Sequence, residues 1–142
     1  MAELVSTANT AWHGGLSDGS GTVSFASGAA GPVPVTWASR TEAANGKTSP
    51  EELIAAAHSA CFSMALSHEI AGLGGTPKEL DVTARVTFSI TEEGVGISGV
   101  ALSVSGSADG LDAGGFAKAA QLAKENCPVS RALAVPITLT VG

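Results

Sequence analysis

The segment Thr48-Ser49-Pro50-Glu51-Glu52 opens about twenty residues free of helix breakers, which close at Gly72-Leu73-Gly74-Gly75-Thr76-Pro77. Ser49 is placed to cap a helix, Pro50 suits its first position, and Glu52 completes a capping box. The glycines supply a C-cap, and the proline beyond them prevents continuation. The spacing predicts one long helix from Pro50 to about Ala71. Ala55, Ala56, Ala57, Ala60 and Ala65 give it small faces that let another backbone approach closely, so it is expected to be central and buried. A fold built on such a helix has to cover it.

The flanking sequence supplies strands for that cover. Residues 10–45 are rich in Gly, Ser, Thr and Val. Thr22-Val23-Ser24-Phe25 and Val33-Pro34-Val35-Thr36-Trp37 alternate apolar and polar side chains. They predict two or three short antiparallel strands joined by glycine-rich turns, with Pro32 and Pro34 on an edge. Beyond the helix, Val82, Ala84, Val86, Phe88 and Ile90 share one face of a strand over Asp81–Ile90. Glu92-Glu93-Gly94 turns it into a return strand, Ile97–Ser105, with Val100, Leu102 and Val104 on one face. A second helix is expected over Gly114–Glu125, with Phe116, Ala119, Ala120 and Ala123 inward, then a short helix after Pro128. A last strand, Val135–Val141, again alternates. Asp109-Gly110-Leu111-Asp112 reads as a turn. Strand runs separated by two helices, without internal repeats, indicate an α+β fold in a single domain, 1–142.

Composition removes several classes of function. With 44% hydrophobic and 14% charged residues, a chain of 142 residues can bury a core. A net charge of -6 argues against nucleic acid or an anionic membrane as partner. No stretch reaches the ~20 apolar residues of a membrane span. Met1–Thr10 lacks the basic and apolar regions of a secretion signal, which points to the cytoplasm.

The chemistry then falls on two cysteines, Cys61 and Cys127, the only ones in the chain. Cytoplasmic disulfides are usually catalytic or redox-sensing, although a buried free cysteine also serves as a small hydrophobe. Cys61 lies mid-helix among small residues. Cys127 precedes Pro128 at a helix start, where the N–H groups of Val129 and Ser130 are left without intrahelical partners. Such donors favour a thiolate. Arg40, after the Trp37 strand, is the one Arg or Lys in the first 46 positions, and a guanidinium beside a thiol acts the same way. Glu51, near the helix start, also has a plain reading as a stabiliser of the helix dipole. His13, His58 and His68 lack metal-ligand spacing. His58 shares a helix face with Cys61, where a structural histidine is favoured over a base.

Thr48–Ser67, with Ala57-His58-Ser59-Ala60-Cys61-Phe62-Ser63-Met64, resembles the signature helix of the OsmC/Ohr family, the osmotically inducible and organic hydroperoxide resistance proteins. Asn126-Cys127-Pro128-Val129-Ser130 resembles the family's second motif. Gly14-Gly15 after Trp12, and Gly21-Thr22-Val23-Ser24, resemble its N-terminal hairpin. His58, the Met64–Ser67 context and the position of Arg40 are more similar to the osmotically inducible branch.

The resemblance implies antiparallel sheets wrapped around two central helices in an intertwined homodimer. It implies a thiol peroxidase acting on organic hydroperoxides in oxidative and osmotic stress. Cys61 would be the peroxidatic cysteine and Cys127 the resolving one, with Arg40 and Glu51 matching the family's arginine and glutamate. Reduction by a dithiol, such as a lipoylated protein, is implied, with no metal, flavin or haem. In a continuous helix Glu51 lies ten residues, or ~15 Å, from Cys61 along the axis. Glu51 would therefore serve the Cys61 of a second subunit. The competing readings are a binding dimer with structural cysteines, or a stress protein whose cysteines form only a regulatory disulfide. Phe62, Met64 and Phe116 are candidates for an apolar substrate wall, with core packing as their simpler role.

Overall fold

A computed structural model describes residues 2–142, which divide into two compact units, Met1–Pro50 and Glu51–Gly142. The first unit is built on a three-stranded antiparallel sheet. Its strands β1 (Ala8–His13), β2 (Ser20–Phe25) and β3 (Val33–Val35) lie in chain order. Gly21 sits opposite both Trp12 and Val35. A Cβ there would meet Trp12 Cε3 at 2.8 Å and Val35 Cγ1 at 3.1 Å, so only glycine lets the indole lie across β2.

The segment after β3 differs from expectation. Trp37–Thr41 forms a short helix, α1, so Arg40 lies in a last helical turn and not at a strand end. The cause is local. Thr36 Oγ1 accepts from the Ser39 N–H and Ser39 Oγ accepts from the Thr36 N–H, each at 3.0 Å, in a reciprocal capping box. Ser39 Oγ also donates to the Thr48 carbonyl at 2.7 Å, and the Thr48 N–H donates to the Pro34 carbonyl at 2.9 Å. The residues leading into the long helix are thereby tied to β3 and α1.

That helix, α2, runs unbroken over Pro50–Gly72. It stops in a Schellman motif. The Gly75 N–H donates to the Ile70 carbonyl at 2.9 Å and the Gly74 N–H to the Ala71 carbonyl at 3.0 Å. Gly74 takes φ +88°, the left-handed conformation this stop requires. Two long antiparallel strands follow, β4 (Thr76–Thr91) and β5 (Gly94–Asp109), each extending past its predicted ends. After them come α3 (Ala113–Asn126), α4 (Pro128–Ala132) and β6 (Ile137–Val141). Strand β6 joins β5 in parallel, so the second sheet, ordered β4-β5-β6, is antiparallel except at that edge.

Phe62, Leu66 and Ile70 of α2, Val100, Leu102 and Val104 of β5, and Phe116, Ala119, Ala120 and Ala123 of α3 form one buried cluster that includes Cys127. Each large side chain buried here contributes about 1.5–3 kcal/mol. The predicted inward faces of β5 and α3 are thus the observed ones. Helix α2 is different: within the chain it buries a stripe at Glu51, His58, Phe62, Leu66 and Ile70, not all faces. Its alternative face leaves Ala56, Ala57, Ala60 and Met64 exposed, Met64 at 74%.

Candidate active site

Cys61 projects from the middle of α2, and Cys127 stands at the junction of α3 and α4 as C-cap of one and N-cap of the other. Pro128 at the first position of α4 forces this break, since it has no N–H to continue α3. The break aims the start of α4 at α2. The Cys61 and Cys127 thiols share a hydrogen bond, and the Val129 backbone N–H donates to the Cys61 sulfur. This N–H belongs to the first turn of α4, where no intrahelical acceptor is available. Both cysteines are free thiols, Cys127 fully buried and Cys61 half-buried.

Burial pushes the Cys61 thiol up from its ordinary pKa. The Val129 N–H pulls the other way, and the neighbouring Cys127 raises it further. The balance is upward: the helix-start donor expected from the sequence is in place, but in this unit alone it does not outweigh desolvation.

Beside the thiols, His58 is wholly buried, and its Nε2 lies 2.7 Å from Ser130 Oγ on α4. Its Nδ1 is buried without a hydrogen-bond partner among the described residues, and burial lowers the ring's pKa. The sequence points to the Ser130 N–H but not to its hydroxyl, which is the group that meets His58. Ser130 lies 72 positions from His58, and no local signal joins the two. A second link, from Asn126 Nδ2 to Glu69 Oε1 at 3.1 Å, joins α3 to α2 at the surface.

The remaining predicted residues lie elsewhere. Glu51 is buried at the start of α2, ten residues and ~15 Å along the axis from Cys61. Arg40 lies in the first unit, its guanidinium 5.8 Å from the centre of the Trp37 ring, within cation–π range. It lines a cleft of about 220 Å³ with Trp12, Leu16, Val35, Thr36, Trp37 and Pro50. Sequence reading did not anticipate this cleft, because its walls come from separate elements. Of the suggested substrate wall, Phe62 and Phe116 are core side chains and Met64 points to the surface. No group of three or more His, Cys, Asp or Glu side chains among the described residues is placed to hold a metal ion. No helix among them is long and apolar enough to cross a membrane.

The chain has known relatives in both sequence and fold. A model of the OsmC-like protein family matches residues 43–142. The chain is 44% identical over 128 residues to the peroxiredoxin OsmC of Escherichia coli (strain K12), covering 90% of this chain and 89% of that relative. Among solved structures it is similar to an organic hydroperoxide resistance protein OsmC from Legionella pneumophila, with a TM-score of 0.78 at 28% identity over 100% of this chain and 99% of that one. It is also similar to the organic hydroperoxide resistance protein OhrB of Bacillus subtilis, with a TM-score of 0.73 at 26% identity over 96% and 98% of the two chains. By sequence and by fold, the chain belongs to the OsmC-like protein family.

Proposed function

We propose that this chain is a thiol-dependent peroxidase that reduces organic hydroperoxides, and hydrogen peroxide more slowly, in defence against oxidative and osmotic stress. The observation that carries this reading is the hydrogen-bonded pair Cys61–Cys127 with the Val129 N–H on the Cys61 sulfur. The more accessible thiol, Cys61, is the attacking one. Its thiolate displaces alkoxide from the hydroperoxide: an S–O bond forms, the O–O bond breaks, and the alkoxide takes up a proton as the alcohol leaves. Cys61 is then a sulfenic acid. The Cys127 sulfur attacks it, a disulfide forms and water departs. An external dithiol, such as a lipoylated protein, exchanges with the disulfide and restores both thiols. The cycle runs on sulfur alone, in the cytoplasm.

Arg40 and Glu51 complete the reading, Arg40 as the charge that favours thiolate and leaving alkoxide, Glu51 as the carboxylate that orients it. Helix α2 keeps Glu51 far from the Cys61 of its own chain, which supports a homodimer whose partner supplies it. The exposed alanines and Met64 on α2 support such a partner. The apolar walls of the cleft beside Arg40 support an organic peroxide as substrate.

The test is dithiol-driven consumption of cumene hydroperoxide by wild type and Cys61→Ser. Loss of turnover in the variant is expected, and equal rates refute the reading. Cys127→Ser should halt at a sulfenic acid captured by dimedone. Mixed Cys61→Ser and Glu51→Ala chains should regain activity as heterodimers; no gain over the parent variants rules out the shared site.

A further inference from the structure

We propose that His58 is a positioning residue which, through its hydrogen bond to Ser130, holds α4 against α2 and so sets the rate at which Cys61 and Cys127 close into a disulfide. The inference rests on the reading of these cysteines as a pair that closes. Helix α4 has five residues, too few to be stable alone, so its placement depends on what it touches. Its N-cap, Cys127, has no side-chain capping bond. Val129 and Leu133 pack on the core, but apolar packing fixes position better than orientation. The His58 Nε2···Ser130 Oγ bond, 2.7 Å and buried at both ends, is directional.

Its location matters as much as its length. His58 lies one turn before Cys61 on α2, and Ser130 one turn after Cys127 on α4. On the far side of the cysteines, Asn126 at the end of α3 and Glu69 of α2 make a second link. The junction carrying Cys127 and the Val129 N–H is therefore pinned to α2 on both sides. Of the two pins, only His58–Ser130 is shielded from water, where a hydrogen bond is strongest. The unpaired Nδ1 points the same way. A buried ring with one unsatisfied nitrogen is a poor choice for stability, and an apolar side chain would fill the space without that cost. A histidine there is explained by what its other nitrogen holds.

Disulfide closure demands that two sulfurs approach to bonding distance at a set dihedral angle, so a small rotation of α4 slows it steeply. The test uses the full chain, reduced and then treated with one equivalent of cumene hydroperoxide, with dimedone competing for the Cys61 sulfenic acid. Ser130→Ala should slow closure by about tenfold, seen as a matching rise in dimedone adduct, while peroxide consumption in the first turnover changes far less. His58→Gln, whose amide reaches the Nε2 position, should restore much of the wild-type rate, and His58→Leu should not. The double variant His58→Leu/Ser130→Ala should be no slower than the worse single variant, because both remove one bond. A merely structural role would lower melting temperature without altering the ratio of closure to peroxide attack. Closure in Ser130→Ala within about twofold of wild type, or additive losses in the double variant, overturns the proposal. Ser130→Ala is a small change that keeps the test decisive where His58→Leu does not fold. Diamide oxidises the pair without a sulfenic acid. If wild type closes with diamide but not with peroxide, the peroxidase reading falls, and the diamide rates decide the clamp by the same criteria.

Discussion

Replacing the Pro128–Val129 amide by an ester isolates the one donor that favours the Cys61 thiolate within its unit. The ester deletes the Val129 N–H and keeps every side chain. No helical hydrogen bond is lost from that nitrogen, since it lies in the first turn of α4. A hydrogen bond to a charged group is worth about 1.5–3 kcal/mol, and the half-exposed sulfur argues for the lower figure. About 1.5 kcal/mol corresponds to roughly one pKa unit. The sign is fixed by which form the N–H binds: it stabilises the thiolate, so its removal raises the pKa. Cys61 should then need a pH about one unit higher to reach the same thiolate fraction. The experiment is done in a Cys127→Ala chain, which leaves a single thiol and removes the neighbour that also raises Cys61. Iodoacetamide alkylation rates across pH give the pKa of amide and ester forms. An unchanged pKa, or a lower one, refutes the assignment of Val129 as a thiolate donor.

Asp112 accepts from the Gly115 N–H at 2.7 Å as N-cap of α3, so Asp112→Ala should cost about 1 kcal/mol in urea denaturation. The first-turnover rate should stay near wild type, since the cap is remote in chain from Cys127. Phe62→Ala empties a fully buried site next to Cys61 and should cost about 3–5 kcal/mol, read from the same denaturation curves. Burial lowers the pKa of His58 below 6.5, so in the window just under 6.5 the unfolded chain holds a proton that the folded chain lacks. Stability should therefore be full above that window and fall as pH drops through it, by at most about 1.4 kcal/mol per pH unit. His58→Gln should flatten this slope, and an equal slope in the variant would assign the effect to other groups.

What could be read from the sequence follows how local each cause is. Pro50 and the Gly72–Pro77 stop define α2 through residues adjacent in the chain, and the observed helix has those ends. Periodicity in β5 and α3 marks the inward faces because one period governs one buried side, whereas on β4 the shared face packs on the core only at Val82, Ala84 and Val86 and ends in an exposed Ile90. Arg40 reads as a residue just past a strand, not as part of α1, because the Thr36–Ser39 capping box is embedded among strand-like neighbours. Asp112 likewise looked like a turn residue, although an aspartate three positions before a glycine N–H is a cap. The parallel pairing of β6 depends on where α3 and α4 deliver the chain, and the His58–Ser130 bond joins residues far apart. Neither leaves a trace at short range. Helix α2 reads as buried all round because small residues suit close packing, yet one chain supplies partners for only part of its surface.

The upward shift of Cys61 bears directly on how the proposed peroxidase works. A nucleophilic thiol needs its anionic form, yet burial and Cys127 both hold this one toward the neutral form, with a single N–H in opposition. The bond to Val129 loses to desolvation, so the second unit as it stands is a reluctant thiolate. For the later step of the proposed cycle it is better suited, since the junction of α3 and α4 holds the buried Cys127 beside Cys61. On the proposed reading this divides the labour. Residues of α2 and α4 organise closure of the disulfide, while a full positive charge must come from elsewhere to ionise Cys61. Arg40 is the residue proposed for that task. A cation close to a half-buried sulfur lowers its pKa by more than one backbone donor does. Arg40→Lys keeps the charge and loses the planar fork, whereas Arg40→Met loses both. The alkylation pKa of Cys61 should therefore rise modestly in the first variant and by more than the ester shift in the second. A Cys61 pKa unmoved by Arg40→Met would leave the thiolate without a source of charge and would refute this division.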